Sequence, residues 1–185
     1  MVLWDLVNNE ILLDEMDVTV PNLYKGISDM GAWSNDDQYL VLVDSDTGAY
    51  EPPLMGRYGL YLFDHDGNNK HKVPYDPGTV EYYLSLQPTW SGDSRYLAFI
   101  VLEMRGMDSE YVLYVYSMMT DEIILRCPDL DNSSSPLIFW APDSQKVLWS
   151  DNLASKVMVI DIQSGEAGVI LDKAIVGGWT TWSSK

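Results

Sequence analysis

The chain has 185 residues, 46% of them apolar and 21% charged, which is enough to bury one sizeable core and excludes a disordered polyelectrolyte. Its 28 Asp and Glu against 11 Lys and Arg give a net charge of −17, so phosphate backbones and anionic bilayers repel it, and neither nucleic acid nor membrane insertion is expected. A lone cysteine, Cys127, excludes an internal disulfide and a Cys-based zinc cluster, and no apolar run approaches the ~18 residues that span a bilayer.

In chain order, residues 2–7 and 10–13 flank Asn8-Asn9 and read as two strands around a turn. Short runs rich in β-branched and aromatic residues follow over 26–33, 39–44, 59–64 and 70–73, then over 81–90, 96–102, 111–117 and 122–127. A third group covers 137–140, 146–150, 156–161 and 167–171, and residues 177–182 read as one more strand. Between the runs stand Asp64-His-Asp-Gly-Asn68 and Gln163-Ser-Gly165, residues that tolerate the positive φ of hairpin loops. No apolar pattern keeps helical spacing over ten or more positions with caps at both ends. The expected class is all-β.

Three segments align: Trp33-Ser-Asn-Asp-Asp-Gln-Tyr-Leu, Trp90-Ser-Gly-Asp-Ser-Arg-Tyr-Leu and Trp140-Ala-Pro-Asp-Ser-Gln-Lys-Val. Each has an Asp three after the Trp, namely Asp36, Asp93 and Asp143, and a strand a few residues on. With Trp182-Ser-Ser-Lys185 as the opening of another copy, the motif recurs about every 50 residues, near the period of a four-stranded propeller blade. Trp-Ser-x-Asp, an apolar strand, then an apolar-x-apolar-Asp strand ending in a Gly-bearing turn resembles the WD-like repeats of TolB-type β-propellers. The propellers of prolyl-oligopeptidase-like peptidases carry the same repeats. The turns read Asn-Asp-Asp, Gly-Asp-Ser and Pro-Asp-Ser where the family usually has Pro-Asp-Gly.

The resemblance implies a propeller arc of three full four-stranded blades, over 23–75, 76–130 and 131–173, with partial blades over 1–22 and 174–185. Two architectures fit the partial ends. One is an excerpt cut mid-blade from a larger ring; the other is a four-bladed ring closed by the C-terminal strand and lacking a second strand there. The gap this leaves in the ladder favours the excerpt. The first ten residues lack the basic start and apolar stretch of a secretory signal; family resemblance leans toward the bacterial periplasm or the cell exterior.

Identical settings in every repeat give Trp33, Trp90 and Trp140 a packing role between blades, and give Asp36, Asp93 and Asp143 a turn-organising role rather than a catalytic one. Chemistry is otherwise sparse. No Gly-x-Ser-x-Gly elbow, Walker loop, dinucleotide fingerprint or His-Glu-x-x-His is present, and His65 and His71 read as solvated hairpin residues. Asp44-Ser-Asp46 offers alternating oxygens to calcium but lacks the twelve-residue loop pattern, so a bare turn is favoured.

The expected function is therefore a non-catalytic binding module for a protein or peptide. Its alternative is the substrate-gating propeller of a peptidase whose catalytic domain lies outside this chain; a propeller enzyme acting on a glycan is a third reading. Labelling the strands of a blade a to d from the channel outward, the a–b and c–d turns share one rim and the b–c and d–a connections the other. The b–c connections vary most, from 44–58 through 103–110 to 151–155, and variable loops carry recognition. Expected partner-binding residues are Tyr50, Glu51, Met55, Arg57 and Tyr58 on the longest, with Glu103, Arg105 and Asp108 beside them and Asp129 and Asp131 on the same rim. Acidic groups around that rim suit a basic or metal-bearing ligand.

Overall fold

The computed structural model describes residues 3–5, 10–13, 32–45, 57–67, 69–75, 82–128, 136–151 and 156–172. Every regular element among the described residues is a strand. A hairpin comes first, β1 (Leu3–Asp5) antiparallel to β2 (Glu10–Leu13). Three four-stranded antiparallel sheets follow as an arc of propeller blades. Blade one is β3 (Ala32–Trp33), β4 (Tyr39–Ser45), β5 (Arg57–Asp64) and β6 (His71–Lys72). Blade two is β7 (Tyr82–Trp90), β8 (Tyr96–Arg105), β9 (Asp108–Ser117) and β10 (Glu122–Cys127). Blade three is β11 (Pro136–Trp140), β12 (Lys146–Asp151), β13 (Lys156–Asp161) and β14 (Ala167–Asp172). Each blade is a meander, with sequence neighbours paired.

Stacking of blades explains the composition of the strands. In β8, Leu97, Phe99 and Val101 pack with Val41, Val43, Leu60 and Leu62 of blade one. The intervening Ala98 and Ile100 pack with Val147, Trp149 and Ile160 of blade three. A strand buried on both faces is apolar at successive positions instead of alternating ones. All five residues from 97 to 101 are accordingly fully buried, and burying a Leu or Phe side chain of this kind contributes about 1.5–3 kcal/mol.

Two expected connections are shorter than the sequence suggested. Asp44 and Ser45 extend β4, and Arg57 and Tyr58 open β5. Ser45 pairs with Tyr58, while Arg57 and Tyr58 pair in parallel with Tyr83 and Leu84 of β7, so blades one and two share a continuous sheet. Each of these residues has a ladder partner, and Tyr58 has one on both sides, because a paired backbone group is better than a free one. The connection expected over 103–110 is a two-residue turn. Glu103, Met104 and Arg105 remain in β8 opposite Glu110, Ser109 and Asp108, leaving Gly106 and Met107 at the tip. Gly106 has φ +65°, which glycine adopts without steric cost. The strand expected over 177–182 lies outside the described residues.

Candidate functional site

The repeat motif is absorbed into the blade junctions. Ser34 Oγ donates to Asp36 Oδ1 at 2.6 Å and accepts the Tyr39 N–H at 2.9 Å. In blade two Ser91 Oγ donates to Asp93 Oδ1 at 2.7 Å and accepts the Tyr96 N–H at 3.0 Å. Asp143 Oδ1 accepts the Gln145 N–H at 2.9 Å in blade three. At Asp36 and Asp93 such bonds stabilise the carboxylate form. The carboxyl of Asp36 is held below the usual range, mainly by the Ser34 hydroxyl. At Asp93 burial opposes ionisation, but Ser91 and Arg95 outweigh it and the net displacement is also downward.

Between blades the pattern repeats. Trp90 Nε1 donates to Ala32 O and Trp140 Nε1 to Thr89 O, both at 3.0 Å. Tyr39 stacks on Trp90 and Tyr96 on Trp140, with centroids 6.3 and 6.1 Å apart. Trp33 differs from the equal role expected of it: it is 39% exposed, against 6% for Trp90. Its ring lacks the enclosure that blade one gives Trp90.

On the opposite rim the structure sorts the expected partner-binding residues. Tyr50, Glu51, Met55 and Asp46 lie outside the described residues, as do Asp129 and Asp131. Arg57 and Tyr58 belong to the ladder, not to a loop. Asp44 likewise stands opposite Gly59 in β4, and no group of three potential metal ligands occurs among the described residues. Arg105 and Asp108 face each other across the Gly106-Met107 turn, where Asp108 and Met107 are exposed.

Glu103 requires a correction. Expected on an exposed loop, it is 1% exposed, because β8 continues through it and its side chain keeps the inward phase of Phe99 and Val101. Tyr114, itself 2% exposed, donates from Oη to Glu103 Oε1 at 2.7 Å. Arg126 of β10 completes the cluster: Nη2 reaches Glu103 Oε2 at 3.2 Å and Oε1 at 3.4 Å, and Nε donates to Tyr114 Oη at 3.0 Å. Burial, then the bond to Glu103, pushes the Tyr114 phenol up to about 12. The Arg126 side chain remains 39% exposed. Neither Tyr114 nor Arg126 was singled out in the sequence, although the period of two that places Phe99 inward places Glu103 inward as well.

A second polar group bridges blades one and two at the a–b and c–d rim. His71 Nε2 lies 2.9 Å from Asp121 Oδ1, which also accepts from Tyr116 Oη at 2.8 Å. His65 contacts only its neighbour Asp66 among the described residues, at 2.7 Å. Cys127 packs against the core shared by blades two and three.

No protein-family model matches the chain, and no curated protein sequence does. Solved structures are similar to it in fold. An oligogalacturonate lyase in complex with manganese aligns with 97% of this chain and 43% of its own, at 14% identity and a TM-score of 0.53. A eukaryotic initiation factor aligns with 76% of this chain and 32% of its own, at 16% identity and a TM-score of 0.50. The β-propeller domain of the Trilobed protease from Pyrococcus furiosus aligns with 73% and 38%, at 15% identity and a TM-score of 0.46. The chain thus spans less than half the length of each of these solved chains.

Proposed function

We propose that this chain is a propeller module of the TolB type that binds a protein or peptide on its b–c and d–a rim and carries out no chemical step itself. The supporting observation is the difference between the two rims. On the a–b side, the Trp, Ser and Asp side chains of the motif are spent on turn and junction bonds. On the b–c side, the buried carboxylate of Glu103, two residues before the end of β8, and the Tyr114 phenol from the middle of β9 hold the partly exposed guanidinium of Arg126, next to last in β10. Uniform turns suit a scaffold and the irregular side suits recognition.

Replacing residues 46–56 by a two-residue turn tests this reading, since Ser45 and Tyr58 already face each other at its base. Folding is expected to persist while selection of peptides from a random hexapeptide library is lost. Undiminished selection would move the binding surface off this rim. The purified chain is also expected to turn over neither ester and peptide substrates nor oligogalacturonate; sustained turnover of any of them would overturn the non-catalytic half of the reading.

A further inference from the structure

We propose that Arg126 anchors a carboxylate of the bound peptide, its guanidinium aimed by Glu103 and Tyr114 and its free edge turned to solvent. The proposal rests on the rim reading above and specifies its ligand chemistry.

A guanidinium is a planar fork of five donors. In Arg126 the Nε donor is taken by Tyr114 Oη and Nη2 faces the Glu103 carboxylate, whereas Nη1 has no partner among the described residues. One edge is therefore fixed from inside the blade and the other is open. The Nη1 amino group on that open side can donate to a carboxylate oxygen, a charge-assisted hydrogen bond.

Stability alone is a poor reason for this cluster. Enclosing a carboxylate carries a desolvation cost that its partner's attraction does not dependably offset. Blade three forms the same four-stranded sheet without the cluster. Where blade two pairs Phe99, Tyr114 and Arg126 across its strands, blade three pairs Trp149, Met158 and Val169. The arrangement does hold a rotamer-rich side chain in one orientation before any ligand arrives, which removes part of the ordering cost of binding.

The charge of the chain narrows the ligand. At −17 overall, the molecule repels polyanions such as nucleic acid, while a single carboxylate on an otherwise neutral peptide incurs little repulsion. At the far end of β8 and β9 the Gly106-Met107 turn exposes Met107 fully, an adaptable apolar side chain within the reach of an extended hexapeptide.

The test uses the whole chain and a random hexapeptide library in four forms: with free or amidated C-termini, each with or without Asp and Glu. Carboxylate-bearing peptides are expected to be enriched at least tenfold over the amidated, acid-free form. Comparison of the forms identifies the source as the C-terminal or the side-chain carboxylate. Arg126→Lys keeps the charge but loses the fork and is expected to weaken selected peptides about tenfold. Because Arg126→Gln alone leaves Glu103 enclosed without its guanidinium, the double variant Glu103→Gln/Arg126→Gln serves as the folded control, checked by its thermal midpoint. It is expected to lose the carboxylate preference. Equal enrichment of acid-free amidated peptides, or a folded double variant that keeps the preference, overturns the Arg126 proposal. If peptides are still selected through residues 46–56 in that case, the rim reading stands. If the chain selects no peptide of any form, both fail.

Discussion

The hydroxyl of Ser94 accepts the backbone N–H of Asp36 at 3.0 Å, across the junction of two blades and 58 positions along the chain. Ser144 does the same for Asp93 at 3.3 Å. Ser94 and Ser144 occupy matching turn positions, with φ of +58° in both. A left-handed serine in the turn of one blade thus ties down the turn of the blade before it. Ser94→Ala removes the acceptor and is expected to cost about 1–2 kcal/mol in urea unfolding. Ser94→Gly also loses the bond but relieves the left-handed backbone, so it is expected to cost about 0.5–1 kcal/mol less than alanine. Equal losses would show that the hydroxyl, and not the backbone, sets the whole effect.

The tryptophans are not equivalent in energy. Trp90 is buried, bonded and stacked, so Trp90→Ala is expected to cost about 3–5 kcal/mol. Trp33 is 39% exposed, and its removal is expected to cost under about 2 kcal/mol by lost apolar burial. Chemical denaturation of the two variants side by side checks the order; a larger loss at Trp33 would contradict it.

The buried cluster makes an asymmetric prediction. Arg126→Ala leaves the enclosed Glu103 carboxylate without its guanidinium, at an expected cost of about 3–5 kcal/mol. Glu103→Gln keeps an acceptor for Tyr114 and leaves Arg126 with access to water, so about 1 kcal/mol is expected. Denaturant midpoints of the two variants decide this, and comparable losses would mean that water reaches Glu103.

Stability is expected to fall at both ends of the pH scale. Asp36, Asp93, Asp121 and Asp161 all have carboxyls held below the ordinary value. A depressed folded-state pKa stabilises the fold above the unfolded value, near 3.9, and that contribution is lost as pH drops through the folded value. Asp36→Asn is expected to flatten this acid limb as followed by circular dichroism. At the alkaline end the sign reverses. Tyr114 is raised to about 12, and Tyr116 is raised by burial and then by its bond to Asp121. Their contribution is complete below about pH 10 and disappears as pH rises through the folded values. Absorbance at the phenolate band should show two tyrosines ionising only as the chain unfolds; if every tyrosine titrates before unfolding, the phenols are not enclosed.

Much of this architecture is local chemistry and could be read directly. Strands recur where β-branched and aromatic residues cluster, and turns where Asp, Asn, Ser and Gly accept a positive φ, as Asp37, Gly67, Ser94, Ser144 and Gly165 do. Recurrence of Trp-x-x-Asp in three segments pointed to blades, because both residues act over distances that a turn and its neighbour define. Where strands end was less legible. Tyr58, Glu103 and Arg105 looked like loop residues by composition, yet each has a partner on a neighbouring strand, and pairing outweighs intrinsic preference.

The candidate site was hidden for a related reason. Glu103, Tyr114 and Arg126 come from three strands, and no spacing in a linear chain links an acid, a phenol and a guanidinium that meet only when register is set. The exposure of Trp33 has the same origin, for it depends on what faces blade one and not on the motif that Trp33 shares with Trp90. Strands, turns and the repeat could be read from the linear chain, since these follow from backbone conformation and the apolar period. Which carboxylate is enclosed and which guanidinium is oriented emerges with the folded stack of blades, because burial and hydrogen bonding belong to that stack and to no single segment.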